Sequence, residues 1–121
     1  QFSNAEFQKY ADFTVCTFQM GVFFNYCKFQ QQAVFSSSVF SKRFEILSTT
    51  AQQLDMRKCH FGFVPKLMKS NIVSELDFSG SHFTDGIPDL KETSAATILA
   101  SEIVLCDKSY SQEQFLKASG K

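Results

Sequence analysis

Four cysteines, at 16, 27, 59 and 106, and two histidines, at 60 and 82, are the residues whose types could do nucleophilic or metal chemistry in this chain. Their spacing argues against it. No Cys-x-x-Cys pair occurs, although zinc chelation and dithiol exchange usually place two sulfurs on one turn. Cys59 and His60 are adjacent, so their side chains diverge in most backbone conformations, whereas a thiolate needs its base within hydrogen-bond reach. His82 follows Ser79-Gly80-Ser81 in a polar turn, where a solvated imidazole is the default state.

The carboxylates of Glu75, Asp77, Asp85 and Asp89 supply only fragments of a calcium loop. The five glycines form no G-x-G-x-x-G or Walker-type phosphate cradle. The expectation is a protein that is not an enzyme, with no cofactor and no metal site.

An even number of cysteines, in a chain that opens on Gln1 instead of Met, reads as an exported protein, secreted or periplasmic, with its signal peptide removed and two disulfides formed. Buried thiols in a cytosolic core are the alternative, since free Cys also packs as a small apolar residue. Cys16 and Cys27 are eleven residues apart, roughly 16 Å along a continuous helix, and a disulfide needs Cα atoms about 4.4–6.8 Å apart. That excludes a Cys16–Cys27 bridge and leaves two connectivities. Folding the chain back near residue 34 would bring Cys59 beside the first half of the first helix, so the expected pairs are Cys16–Cys59 and Cys27–Cys106, each closing a long loop and contributing about 3–4 kcal/mol in the chain-entropy picture.

The elements that must position these residues read as helices. A chain of 121 residues, 44% hydrophobic and 20% charged, suits one domain over 1–121 with its own core. Ser3-Asn4-Ala5-Glu6 has capping-box form and predicts a helix running to about Gln30. One stripe holds Phe13, Cys16, Met20, Phe23 and Cys27, at three-four spacing, and a second holds Phe18, Val22, Tyr26 and Phe29. A helix apolar on two faces belongs at the centre of a bundle, or keeps its second stripe for a symmetric dimer.

A second helix fits Ser38 to Met56 on Phe40, Phe44, Leu47, Ala51 and Leu54. Residues 65–84 fit either a short helix opened by Pro65 or a small hairpin of Leu76-Asp77-Phe78 with His82-Phe83-Thr84. A helix after Pro88 would carry Ala95, Leu99, Ile103 and Cys106 on one face, although Ile103-Val104-Leu105 could be its strand-like end, and a tail helix capped by Ser109 would dock Phe115 and Leu116. The expected fold class is all-α: a disulfide-linked helical bundle.

Lys+Arg 12 against Asp+Glu 12 leaves no basic excess for nucleic acid. The most apolar stretch, Phe13 to Phe29, is broken by Gln19, Asn25 and Lys28 and is a poor membrane span. These features point to capture of another protein, in the manner of an inhibitor or a toxin-neutralising immunity protein. The expected contact surface is the polar turn region, with Ser81, His82, Thr84, Asp85 and Asp89. Fifteen Phe and no Trp support a second reading, a carrier holding a lipid or other apolar molecule in a Phe-lined cavity.

Overall fold

The computed structural model describes all 121 residues and is not a helical bundle. The chain winds as a parallel β-solenoid of about five turns, 47% strand and 6% helix. The first coil holds β1 (Phe2–Ser3), β2 (Glu6–Phe7), β3 (Ala11–Asp12) and β4 (Thr17–Phe18). The second holds β5 (Val22–Asn25), β6 (Lys28–Val34) and β7 (Val39–Phe40), and the third β8 (Phe44–Leu47), β9 (Thr50–Asp55) and β10 (His60–Phe61). The fourth holds β11 (Lys66–Met68), β12 (Asn71–Asp77) and β13 (His82–Phe83). The fifth has only β14 (Ser94–Leu99) and β15 (Ile103–Leu105), before β16 (Lys108–Tyr110) and α1 (Gln112–Ala118) end the chain.

Stacking the coils builds three sheets: β1-β5-β8-β11 on one face, β2 and β3 with β6-β9-β12-β14 on the second, and β4-β7-β10-β13-β15-β16 on the third. Every pairing is parallel except β15 with β16.

The inward side chains stack on their equivalents one coil away, and this is where the phenylalanines go. Phe2 on Phe24, Phe7 on Phe29 and Phe13 on Phe35 lie near-parallel, with centroids 5.0, 4.6 and 4.9 Å apart. Phe18, Phe40, Phe61 and Phe83 form one column with successive centroids 5.0, 5.2 and 5.1 Å apart. Rings in neighbouring columns meet edge-on, as Phe24 and Phe35 do at 5.8 Å, so offset stacking and edge contacts together fill the bore. Ala33, Leu54 and Leu76 occupy the positions between columns.

Two corners of each of the first four coils, and one of the fifth, are turned by a residue in the left-handed region. One column of such residues is Asn4, Tyr26, Ser48 and Lys69; the other is Val15, Ser37, Lys58, Gly80 and Glu102. Each costs backbone energy for any residue but glycine, and wherever a further coil follows on that face its N–H donates to it, as Tyr26 N–H does to Leu47 O at 2.9 Å.

A small polar residue follows the turn and faces inward. Ser38, Thr49, Ser70 and Ser81 are buried there, and each hydroxyl bridges coils: Ser81 Oγ accepts from Cys59 N–H at 3.0 Å and donates to Met56 O at 2.6 Å. Cys16 and Cys59 share the column of Ser38 and Ser81, while Cys27 shares that of Thr49 and Ser70.

Those positions overturn the disulfide expectation: all four cysteines are free. Cys16 and Cys59 are two coils apart, about 9–10 Å at the ordinary strand spacing, too far for a bridge, and Cys27 and Cys106 belong to different columns. Cys59 Sγ instead donates to Phe35 O at 3.0 Å, as a serine would.

The expected long helix over 3–30 is β1 to β6, and the expected helix over 38–56 is β7 to β9. Their three-four apolar spacing came from corners alternating with short strands. Met20 is consequently 79% exposed, while Phe13 packs inside. Residues 94–99, expected as helix, are β14, and the strand-like end at Ile103-Val104-Leu105 is β15. The strands of the expected hairpin exist as β12 and β13, but Gly80 at φ 76 turns the chain between them into different sheets. The tail helix is present, capped by Ser111 with Gln114 rather than by Ser109, and it seals Phe115 over Phe78 and Phe83. No helix is long and apolar enough to cross a membrane.

Burial pushes the Cys59 thiol from its usual 9.0 up to about 12. A pKa higher in the folded than in the unfolded chain means that stability is complete below about pH 9 and is lost as pH rises toward 12. We expect unfolding free energy to fall by on the order of 1.4 kcal/mol per pH unit across that window, relative to Cys59→Ser. Urea titrations of both proteins at pH 8 and pH 10.5 check it; parallel losses would show that the thiol plays no part. In the native protein at pH 8, iodoacetamide should label exposed Cys106 and spare Cys59.

Candidate binding surface

The region that differs from its neighbours is the fifth coil. The first face ends at β11, while the other two continue to β14 and β15, because residues 84–93 form a loop where the next strand would lie. Three anchors hold that loop. Leu90 is buried in the core and its N–H donates to Ser119 O at 2.9 Å. Thr93 Oγ1 donates to Leu67 O at 2.9 Å. Gly86 lies so close to Val64 that a Cβ there would meet its Cγ2 at 3.0 Å.

Between loop and strand runs an open groove of about 350 Å³, with Val64, Leu67, Met68 and Ile87 as its apolar part and Lys66, Asp89 and Glu92 as its charged part. Two carboxylates and one ammonium line it, and the Lys91 ammonium lies 4.0 Å from Asp89. The Asp89 carboxylate accepts the Lys91 N–H at 2.9 Å, which fixes the backbone of the turn and leaves the side chain exposed.

The residues expected to form a binding surface divide among different environments. Asp89 lines the groove. Thr84 and Asp85 are exposed at the start of the loop, and His82 is half-buried just before it. Ser81 faces the interior and is spent on the hydroxyl column described above. The sequence reading missed Val64, Leu67, Met68 and Ile87. Their signal is the interruption of a recurrence of 21–23 residues, which carries Phe24 to Ile46 and Ile46 to Leu67 and finds no strand one step further on.

The second local feature lies on the third face, where β10 and β13 pair with His60 opposite His82. Cys106, exposed and left-handed, follows β15 there, and its Sγ donates to Thr84 O at 3.0 Å. The third is the first coil, whose outer edge carries exposed Phe2, Tyr10, Val15 and Met20, while the opposite end of the column is covered by β16 and α1. No group of three or more His, Cys, Asp or Glu side chains is placed to hold a metal ion.

Comparison with protein-family models, with curated proteins and with solved structures finds no match.

Proposed function

We propose that this chain is a non-enzymatic binding protein that captures another protein through the groove between β11 and loop 84–93. The observation that carries this reading is the local loss of the repeat: a rigid stack of coils gives up one strand and presents a tethered loop and an apolar slot in its place. Recognition in repeat architectures collects at such departures, because the scaffold fixes the loop without help from the partner. The slot suits an extended segment whose apolar side chain rests on Met68 and Ile87 and whose basic side chain meets Asp89 and Glu92.

A photo-crosslinking residue at Met68, in protein expressed in its source organism, should give a discrete adduct. The same probe at Gln31, on the second face, should give none. Reversing the groove charge with D89K/E92K should reduce the adduct at least tenfold. Equal adducts at both positions, or an adduct indifferent to the charge reversal, would overturn this placement.

A further inference from the structure

The chain's only two histidines lie side by side on adjacent strands, at the same register, with ring centroids 5.0 Å apart and planes tilted by 57°. We infer that His60 and His82 form a two-imidazole site for a borderline transition-metal ion such as Cu(II), Ni(II) or Zn(II), with water completing the coordination. Two imidazoles on one ion, with metal–nitrogen bonds of about 2.0–2.1 Å and an angle between about 90° for Cu(II) or Ni(II) and about 110° for Zn(II), place their centroids roughly 4.5–5 Å apart. The observed centroid spacing therefore falls where one shared ion would place the two rings.

A second observation concerns the proton on His82. Its Nε2 lies 2.9 Å from Cys106 O, and a carbonyl can only accept, so that nitrogen carries the hydrogen and, in the neutral ring, Nδ1 is the one with the lone pair. A histidine that ligates a metal commonly donates its other N–H to a backbone carbonyl in just this way, which fixes the tautomer and raises ligand basicity. His60 Nε2 is 3.3 Å from Thr84 Oγ1, a hydroxyl that can donate or accept, so this ring can present either nitrogen. His60 is exposed and His82 half-exposed on the outer face, so an ion reaches them from solvent. Soft or oxygen-seeking ions are poorly served by two neutral nitrogens, which selects the borderline metals.

The probe is Cu(II) alone, added to the untagged chain at pH 7.5. We expect one equivalent bound, with an electron paramagnetic resonance spectrum showing two nitrogen ligands, and with NMR signals of both imidazoles broadened together ahead of all others. H60Q and H82Q should each weaken binding at least tenfold, with unchanged circular dichroism, whereas C106S, which keeps the Cys106 carbonyl, should bind like the parent. Binding unaffected by either histidine variant, broadening at one ring only, or absence of stoichiometric uptake at micromolar Cu(II) would overturn the site.

Discussion

Replacing Phe61 by Ala is expected to remove about 3–5 kcal/mol of stability, the range for truncating a fully buried aromatic side chain. Phe61 is 1% exposed, stacks on Phe40 and Phe83, and meets Phe44 and Phe78 edge-on at 6.4 and 6.2 Å. Its removal opens a cavity in the middle of a ring column, and the neighbouring rings are fixed by their own coils and cannot collapse into it. The same truncation at Phe2, which is 40% exposed and has a neighbouring coil on one side only, should cost far less. Denaturant unfolding of both variants measures the contrast. Equal losses at the two positions would mean that column stacking is not what holds the coils together. A double-mutant cycle between Phe40 and Phe61 should show coupling of about 0.5–1.5 kcal/mol, because each ring is the other's packing surface.

Arg57→Ala is expected to cost about 2–3 kcal/mol at neutral pH, although the arginine itself is more than half exposed. Its Nε and one terminal nitrogen donate to the two oxygens of Asp55 at 3.0 and 2.8 Å, and its Nε also lies 4.0 Å from Asp77. Asp55 and Asp77 are both buried and sit opposite each other on adjacent coils. Each already serves the corner by accepting the N–H of the residue two positions on, from Arg57 at 3.0 Å and Ser79 at 2.8 Å. Without the guanidinium, two carboxylates a strand spacing apart face each other with no countercharge. Lysine at 57 should restore less than half of the loss, since a point charge cannot reproduce the two-pronged geometry. Adding Asp77→Asn to the alanine variant should recover part of it by removing one like charge. Urea midpoints at pH 7 for the four proteins check this, and an alanine variant as stable as the parent would refute the assignment.

How much of this was legible in the residues differs by level. The positions that face the core were largely visible, because Phe, Leu and Ile are buried for the same reason in a helix or in a coil. The architecture was not. Apolar residues at 13, 16, 20, 23 and 27 satisfy a three-four rule over one short window, and such a window cannot distinguish a helix from strands of two to four residues separated by corners. The period that settles it is longer: Phe2 and Phe24, Phe7 and Phe29, Phe13 and Phe35, Phe18 and Phe40, and Phe61 and Phe83 all recur at 22 residues. Comparison of the chain with itself at that offset would also have aligned His60 with His82, Cys16 with Ser38 and Cys59 with Ser81. That alignment marks these cysteines as occupants of a hydroxyl column instead of halves of disulfides.

The turn region was picked out by its polar residues, and that region does contain the loop at 84–93. The apolar wall of the groove escaped notice because Val64, Met68 and Ile87 become neighbours only through the stacking of coils.

The left-handed corners make each coil an interchangeable module, since a coil contacts only the one before and the one after it. Duplicating residues 39–59 in tandem would lengthen the column by one storey while every seam between storeys stayed chemically familiar. Inserting a single residue within a strand would turn the downstream side chains of that strand inside out. Change in this molecule is thus quantised, and whole turns are its natural unit of growth.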